Sequence, residues 1–477
     1  MKKHPLGIAL LITSVLVLVC AGVVLANLLD AAKASSGSTS ARQGIVTLNA
    51  GLTQTKVQAA GESTLGLALT LGCDKLDTTS FAPRNVDLVV VLDRSGSMAG
   101  RKIEDARSAV LELVRNLGPG DRFALVSYAD DVIVHGSLTP VTDQTRPLLS
   151  SMAMSIRAGG GTNLSGGLAA GMELLAQTGY HRSEPGSRGK VILISDGHAN
   201  QGITDPLALG QMASGSYQGD FSLTTVGVGV DYNENLMGVI ADHGGGNYYF
   251  LENPARFAQL FLDELSLTRA VAVRNLELRV PLPEGVVLRD AAGYPVEMQG
   301  NTVVIRPGGL RSGQERTIFI TLSLLNPQPG RRYDISDVSA AFQRGEIFSE
   351  VRLAQPLSVE AVDDRAAALA SINPLLWERQ TVQEDYNRLR EEVSRDVAQG
   401  DKDTAMAKIQ RYEQEKGTLN VQVKSEAVAE NLTRDLAGLK QSVEDSLAPS
   451  AAPEMRKQVS KAMQSESYDL RRSKTKY

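Results

Sequence analysis

VDLVVVLDRSGSM, residues Val86–Met98, decides how this chain of 477 residues is read. Its apolar run, broken only by Asp87, ends in an acid, Asp93, and serines follow at alternate positions, Ser95 and Ser97. A short run rich in branched apolar residues is the pattern of a strand buried on both faces. Such a strand delivers a carboxylate and two hydroxyls into the loop that follows it. Oxygen donors suit a hard divalent cation, and Mg²⁺ keeps several waters instead of accepting a full protein cage. Asp-x-Ser-x-Ser is a weak signal by itself, because Asp and Ser are ordinary turn and cap formers.

Two further stretches strengthen it. GGGTNLS, Gly159–Ser165, puts Thr162 after three glycines, and VILISDG, Val191–Gly197, puts Asp196 at the end of a second apolar strand. Together with the first stretch they resemble the von Willebrand factor A domain family, over about Asn85 to Thr268. The resemblance implies a metal-ion-dependent adhesion site with Asp93, Ser95, Ser97, Thr162 and Asp196 at the ligand positions, and none departs from the family pattern. It implies Mg²⁺ as the ion, with Mn²⁺ or Ca²⁺ as alternatives, and carboxylates acting partly through water. One coordination position then faces solvent, and a protein partner presenting an acidic side chain completes the shell. His198, two residues past Asp196, reads as a surface loop residue, since Mg²⁺ prefers oxygen.

The surrounding residues give the same fold without the resemblance. Ile103, Ala106, Val110, Leu113 and Val114 fall at helical spacing after the first strand. Arg122–Tyr128 and Val132–Val134 read as strands about a turn at Asp130–Asp131, and helices are predicted near Gln144–Ile156 and Leu164–Leu175. Lys190–Ile194, Phe221–Val230 and Tyr248–Leu251 are β-rich runs, each followed by a helical segment. Alternating strands and helices predict an α/β fold, a doubly wound, mostly parallel, Rossmann-like sheet covered on both faces. Ligands of such sheets bind beyond the carboxyl ends of the strands, where Asp93 and Asp196 both fall.

Outward from this core the texture changes. Ile45–Leu52 and Leu65–Leu71 alternate apolar and polar residues, and the pattern returns between Leu276 and Val362 with Pro and Gly turns. Both read as parts of one β-sandwich into which the α/β domain is inserted. From Asp363 the spacing becomes helical, through Val382, Tyr386, Leu389, Val393 and Val397 and again from Val428 to Leu447, which predicts a helical hairpin or bundle. The expected organisation is a signal anchor or signal peptide (1–33), a Ser-rich linker (34–43), early sandwich strands (44–82) and the α/β domain (83–268). The rest of the sandwich (269–362), a helical region (363–448) and a basic polar tail (449–477) follow.

A net charge of −5 gives no pull toward nucleic acid, and two cysteines cannot build a disulfide framework. Lys2 and Lys3 precede an apolar segment, Leu6–Leu29, long enough to span a bilayer. Their charge predicts a cytoplasmic N-terminus, a membrane anchor and an extracytoplasmic bulk; cleavage near Ala32-Lys33-Ala34 makes the protein secreted instead.

Similar layouts occur in bacterial exported proteins labelled calcium-activated chloride channel homologues, and the A domain also resembles that of inter-alpha-trypsin inhibitor heavy chains. The channel label does not transfer, because one membrane-length segment cannot line a pore. Metal-dependent adhesion or scaffolding is the expected function. The alternatives are a metal-assisted hydrolase and an adaptor subunit of a secretion or metal-insertion complex with a structural metal. Against a hydrolase, the chain has neither a GxxxxGK[ST] loop nor an HExxH pair, and its five histidines are scattered.

Overall fold

The computed structural model describes residues 37–59, 61–76, 85–177, 188–196, 198–229, 232–251 and 257–471. Strands β1 (Ser38–Gln43), β2 (Val46–Leu52), β3 (Lys56–Gln58) and β4 (Glu62–Cys73) open it. The α/β domain follows with β5 (Val86–Asp93), α1 (Arg101–Asn116), β6 (Arg122–Tyr128), β7 (Val132–Val134), β8 (Thr139–Pro140), α2 (Arg146–Ser155) and α3 (Leu164–Ala176). It continues with β9 (Arg188–Ser195), α4 (Pro206–Gln218), β10 (Phe221–Val228), α5 (Glu234–His243), β11 (Gly245–Leu251) and α6 (Phe257–Arg269). Then come β12 (Val271–Pro281), β13 (Val286–Asp290), β14 (Val296–Gln299), β15 (Thr302–Arg311) and β16 (Glu315–Leu325). Strands β17 (Arg332–Ile335), β18 (Ser339–Arg344), β19 (Ile347–Arg352) and β20 (Leu357–Val362) end the β region. Helices α7 (Arg365–Ala370), α8 (Pro374–Arg379), α9 (Tyr386–Gln399), α10 (Lys402–Val423), α11 (Glu426–Glu430), α12 (Leu436–Ser446) and α13 (Pro453–Arg471) close the description.

In the central sheet the order is β11-β10-β9-β5-β6-β7, with β8 also on β6. Neighbours from β11 to β6 run parallel, and β7 and β8 are antiparallel additions at the edge. All eight residues of β5 are buried, as a strand covered on both faces requires. Strand alternation sends Val86, Leu88, Val90 and Leu92 toward α1, α2 and α6, and Val89 and Val91 toward α3, α4 and α5. Helix α3 lies close on the sheet because Gly171 has no side chain; a Cβ there would stand 2.3 Å from Val91 Cγ2.

The α/β domain is inserted into the sandwich as expected. One sandwich sheet has the order β1-β2-β4-β16-β13, and β4 pairs with β16 from Gly72 opposite Glu315 to Glu62 opposite Leu325. The facing sheet is β14-β15-β12-β18-β19, and a third sheet joins β17, β20 and β3. Strands from before and after the insertion share one apolar core, in which Leu67, Leu69 and Leu71 meet Ile318, Ile320 and Leu322.

Two expectations need correction. Of the linker predicted at 34–43, the described part, Ser38–Gln43, is strand β1, paired antiparallel with β2 through a turn at Gly44 (φ +58°). Its mostly exposed, polar side chains carry no β signature; backbone pairing makes it a strand, with Ala41 packed on the sandwich core. The polar tail predicted from residue 449 is instead largely helix α13, which Pro453 starts rather than forbids. Proline fits the first helical turn, where its missing N–H has no partner to lose. The buried stripe of α13 is Ser460, Lys461, Met463, Ser467 and Tyr468, so its helical spacing is hidden by small polar residues and one lysine.

Met463 joins Val393, Val397, Ile409, Leu439 and Val443 in the core of the helical bundle. Tyr468 packs instead into the α/β domain core, edge-on to Tyr248 with ring centroids 5.4 Å apart. Among the described residues no helix is long and apolar enough to cross a membrane. The apolar segment Leu6–Leu29 and the cleavage motif lie outside the described residues.

Candidate metal centre

Strands β5 and β9 are neighbours at the point where the strand order reverses, so their carboxyl ends open one crevice. Asp93 is the last residue of β5, and Asp196 follows the last residue of β9. Both side chains are fully buried. The loop after β5 turns back on its own acid, since Ser95 N–H donates to Asp93 Oδ1 at 2.8 Å. A 3₁₀ turn at Gly96–Met98, anchored by buried Met98, then brings Ser97 over the crevice.

The oxygens form a connected chain. Ser95 Oγ lies 3.1 Å from Ser97 Oγ, and Ser97 Oγ donates to Asp196 Oδ1 at 2.7 Å. Ser195 Oγ, at the end of β9, donates to Asp93 Oδ2 at 2.7 Å. Asp93, Ser95, Ser97 and Asp196 therefore converge. Thr162 stands on the adjacent loop, buried, with its N–H donating to Asn200 Oδ1 at 2.8 Å and its carbonyl accepting from Asn200 and Gln201. That loop is tied to the first by Gly96 N–H to Gly160 O at 3.0 Å and Gly159 N–H to Arg94 O at 2.8 Å. The contacts that fix Thr162 are made by its backbone. His198 is exposed on the loop after β9.

Burial pushes the Asp93 carboxyl above its usual range, and the neighbouring charge of Asp196 adds to this. The hydrogen bonds from Ser95 and Ser195 oppose the shift. Burial likewise raises the Tyr128 phenol, which donates to Ile194 O at 3.2 Å beneath the site. Two carboxylates share a crevice in which the groups that hydrogen-bond Asp93, among them the Ser95 N–H and the Ser195 hydroxyl, are neutral. Such a pair of acids is of the kind a hard divalent cation would suit, with the Ser95 and Ser97 hydroxyls beside it as neutral oxygen donors. Among the described residues no three Asp, Glu, His or Cys side chains gather into a metal-ligating group. A site of two carboxylates plus hydroxyls is of a different composition.

Lys102 was not singled out from the sequence. Its ammonium, 30% exposed, donates to Asp196 Oδ2 and, at 3.4 Å, to Ser97 O. Lys102 lies in the first turn of α1, where the helix dipole mildly disfavours a cation, and Asp196 offsets this. The exposed rim carries opposite charges, with Arg94 paired to Asp131 and Asp130 accepting from Gly161 N–H at 2.8 Å.

Comparison with known proteins agrees with this architecture. A family model for the von Willebrand factor type A domain matches residues 87–263. Inter-alpha-trypsin inhibitor heavy chain H4 of Bos taurus is 32% identical over 172 residues, which is 36% of this chain and only 19% of the heavy chain. An uncharacterized protein of Synechocystis is 29% identical over 262 residues, covering 52% of this chain and 59% of its own length. A solved structure described as a von Willebrand factor type A protein from Catenulispora acidiphila superposes with a TM-score of 0.63 at 18% identity. It covers 91% of this chain and 97% of its own, a likeness of the whole fold. Residues 87–263 are therefore a von Willebrand factor type A domain, set into a β-sandwich and followed by a helical bundle.

Proposed function

We propose that this protein is a non-enzymatic interaction module that holds Mg²⁺ with Asp93, Ser95, Ser97, Thr162 and Asp196 and uses it to bind an acidic side chain of a partner protein. The observation that carries the proposal is the convergence of Asp93, Ser95, Ser97 and Asp196 oxygens at the switch point, with Ser97 exposed to an approaching ligand. When bound, the cation supplies an electrophilic contact for a carboxylate. Asp93 and Asp196 contribute charge, and the hydroxyls contribute neutral donors. Neither carboxylate is placed as a general base, because one is buried beneath the loop and the other is engaged by Ser97 and Lys102. We place the protein outside the cytoplasm, anchored by Leu6–Leu29, or secreted if that segment is cleaved.

The test immobilises the full chain and presents peptides that differ only in carrying Asp, Glu, Asn or Gln at one position. Carboxylate peptides are expected to be retained in Mg²⁺, released by EDTA and lost in Asp93→Ala. Retention that survives both EDTA and the substitution contradicts the reading.

Lys102 sets the strength of the site. Its charge repels a divalent ion over a few ångströms in a partly exposed setting, so Lys102→Gln is expected to tighten Mg²⁺ binding by about tenfold. Calorimetric titration of the two proteins reads this. Equal or weaker affinity in the variant would mean that Lys102 positions Asp196 instead of opposing the ion.

A further inference from the structure

The parallel strands of the α/β domain begin beside the sandwich and end at the candidate metal centre. At their start Arg274 of β12 pairs with Asp220, Arg188 of β9 donates to Val271 O at 3.2 Å, and Tyr217 at the end of α4 donates to Arg306 O of β15 at 2.5 Å. At their far end stand Asp93 and Asp196. Helix α9 begins against the sandwich, where Arg388 meets Asp290 of β13 at 3.8 Å. Helix α10 returns to that level, with Lys408 on Asp396 late in α9 and Lys416 on Asp385 just before α9 starts.

The C-terminal end of α10 is tied to α8. Ser425, just beyond α10, donates its hydroxyl to Glu378 Oε2 at 2.7 Å and exchanges hydrogen bonds with Asn420. Helix α8 rests in turn where the chain enters the sandwich: a Cβ on Gly51 would stand 2.6 Å from Leu376 Cδ1 and 3.6 Å from Gly37 O. Strand β1 starts at that point, with Ser38 opposite Gly51. It runs toward the α/β domain, because Gln43 lies opposite Val46 and Val46 opposite Cys73, the end of β4 from which the chain leaves for that domain. Gly37, α8 and the end of α10 therefore belong to one end of the molecule, and Asp93 and Asp196 to the other.

Leu375 in α8 is 63% exposed and Val421 in the last turn of α10 is 70% exposed, both at the Gly37 end. Apolar side chains standing in water favour an interface that covers them, and the headgroup boundary of a bilayer takes such side chains to a shallow depth. A bilayer lies within reach of this end: seven residues, 30–36, separate the apolar segment Leu6–Leu29 from Gly37, and that tether extends to at most roughly 25–30 Å. On the reading that this segment anchors the protein, we propose that the end bearing Gly37, Leu375 and Val421 is seated on the lipid surface. The metal centre then faces away from the membrane that carries it.

The chain's one tryptophan, Trp377, lies in α8 two residues from Leu375 and serves as a built-in reporter. The full chain is reconstituted into phosphatidylcholine vesicles containing a dansyl-headgroup lipid, and the vesicles are floated on a density gradient. Energy transfer from Trp377 to dansyl is expected. Trp377→Phe combined with Leu207→Trp moves the donor to the first turn of α4, at the metal-centre end, and is expected to lose that transfer. Leu375→Ser combined with Val421→Ser, both at exposed positions where folding is little affected, is expected to float as the wild type does and to lose transfer from Trp377. Failure to float overturns the anchor and this proposal with it. Flotation with no transfer from Trp377, with equal transfer from both tryptophan positions, or with undiminished transfer in the serine pair overturns the seat on the membrane and leaves the anchor standing.

Discussion

Asp93→Ala is expected to lower Mg²⁺ affinity by at least about 100-fold while leaving the α/β domain folded. Losing a group that merely orients a ligand weakens metal binding by roughly 10- to 100-fold, and Asp93 is proposed as a ligand itself. The fold survives because the substitution is at the last residue of β5, whose pairings with β6 and β9 depend on backbone groups. Truncation leaves the Ser195 hydroxyl and the Ser95 N–H without their acceptor, at a cost of about 1–3 kcal/mol. Against that, it removes a buried carboxylate that burial and Asp196 already hold above its usual pKa. A melting temperature within a few degrees of wild type, together with loss of calorimetric heat on adding Mg²⁺, is the expected pair of results. Unfolding of the variant would mean that Asp93 serves the loop's structure more than the ion.

The second large effect is expected far from the metal. Tyr468→Ala should destabilise the protein by about 3 kcal/mol and release α13 to proteolysis. Tyr468 is 3% exposed, lies in the α/β core with Tyr248, and belongs to a helix that also packs on α9. Truncating a buried aromatic side chain typically costs about 3–5 kcal/mol, and the edge-on pair adds roughly 0.5–1.5 kcal/mol. Two turns earlier, Lys461 donates to Tyr232 O at 2.7 Å and Glu234 Oε2 at 2.6 Å, with its ammonium 4.1 Å from the Tyr232 ring centroid. These contacts make α13 a strap between the helical bundle and the α/β domain. Thermal melting and limited trypsin digestion read both consequences. A loss under about 0.5 kcal/mol, the range of ordinary surface substitutions, would return α13 to the status of a tail.

The difference between what could and could not be read from the sequence follows from what each feature is made of. Strands β5 and β9 announce themselves as apolar runs that end in an acid, and the periodicity of α1 marks the helix between β5 and β6. Asp93, Ser95, Ser97 and Asp196 were legible for the same reason: each is a polar residue at the end of an apolar run or just beyond it. Lys102 was not, because its partner Asp196 is distant in sequence and only the sheet order brings them together. Strand β1 was missed because backbone pairing leaves no trace in its polar side chains. Helix α13 was missed because Ser460 and Ser467 give close packing without apolarity, and because Lys461, whose charge suggests exposure, is buried with its ammonium on Tyr232 O and Glu234. The insertion of one domain in another was legible from the return of the same alternating texture on both sides.

The most direct test of the central claim is anomalous diffraction from crystals of the full chain grown with Mn²⁺, which takes the same oxygen ligands as Mg²⁺. A single strong anomalous peak is predicted in the crevice between β5 and β9, bounded by Asp93, Ser95, Ser97, Thr162 and Asp196. Saturating Mn²⁺ with no peak in that crevice, while Lys102 remains on Asp196, would contradict the assignment of a metal site there.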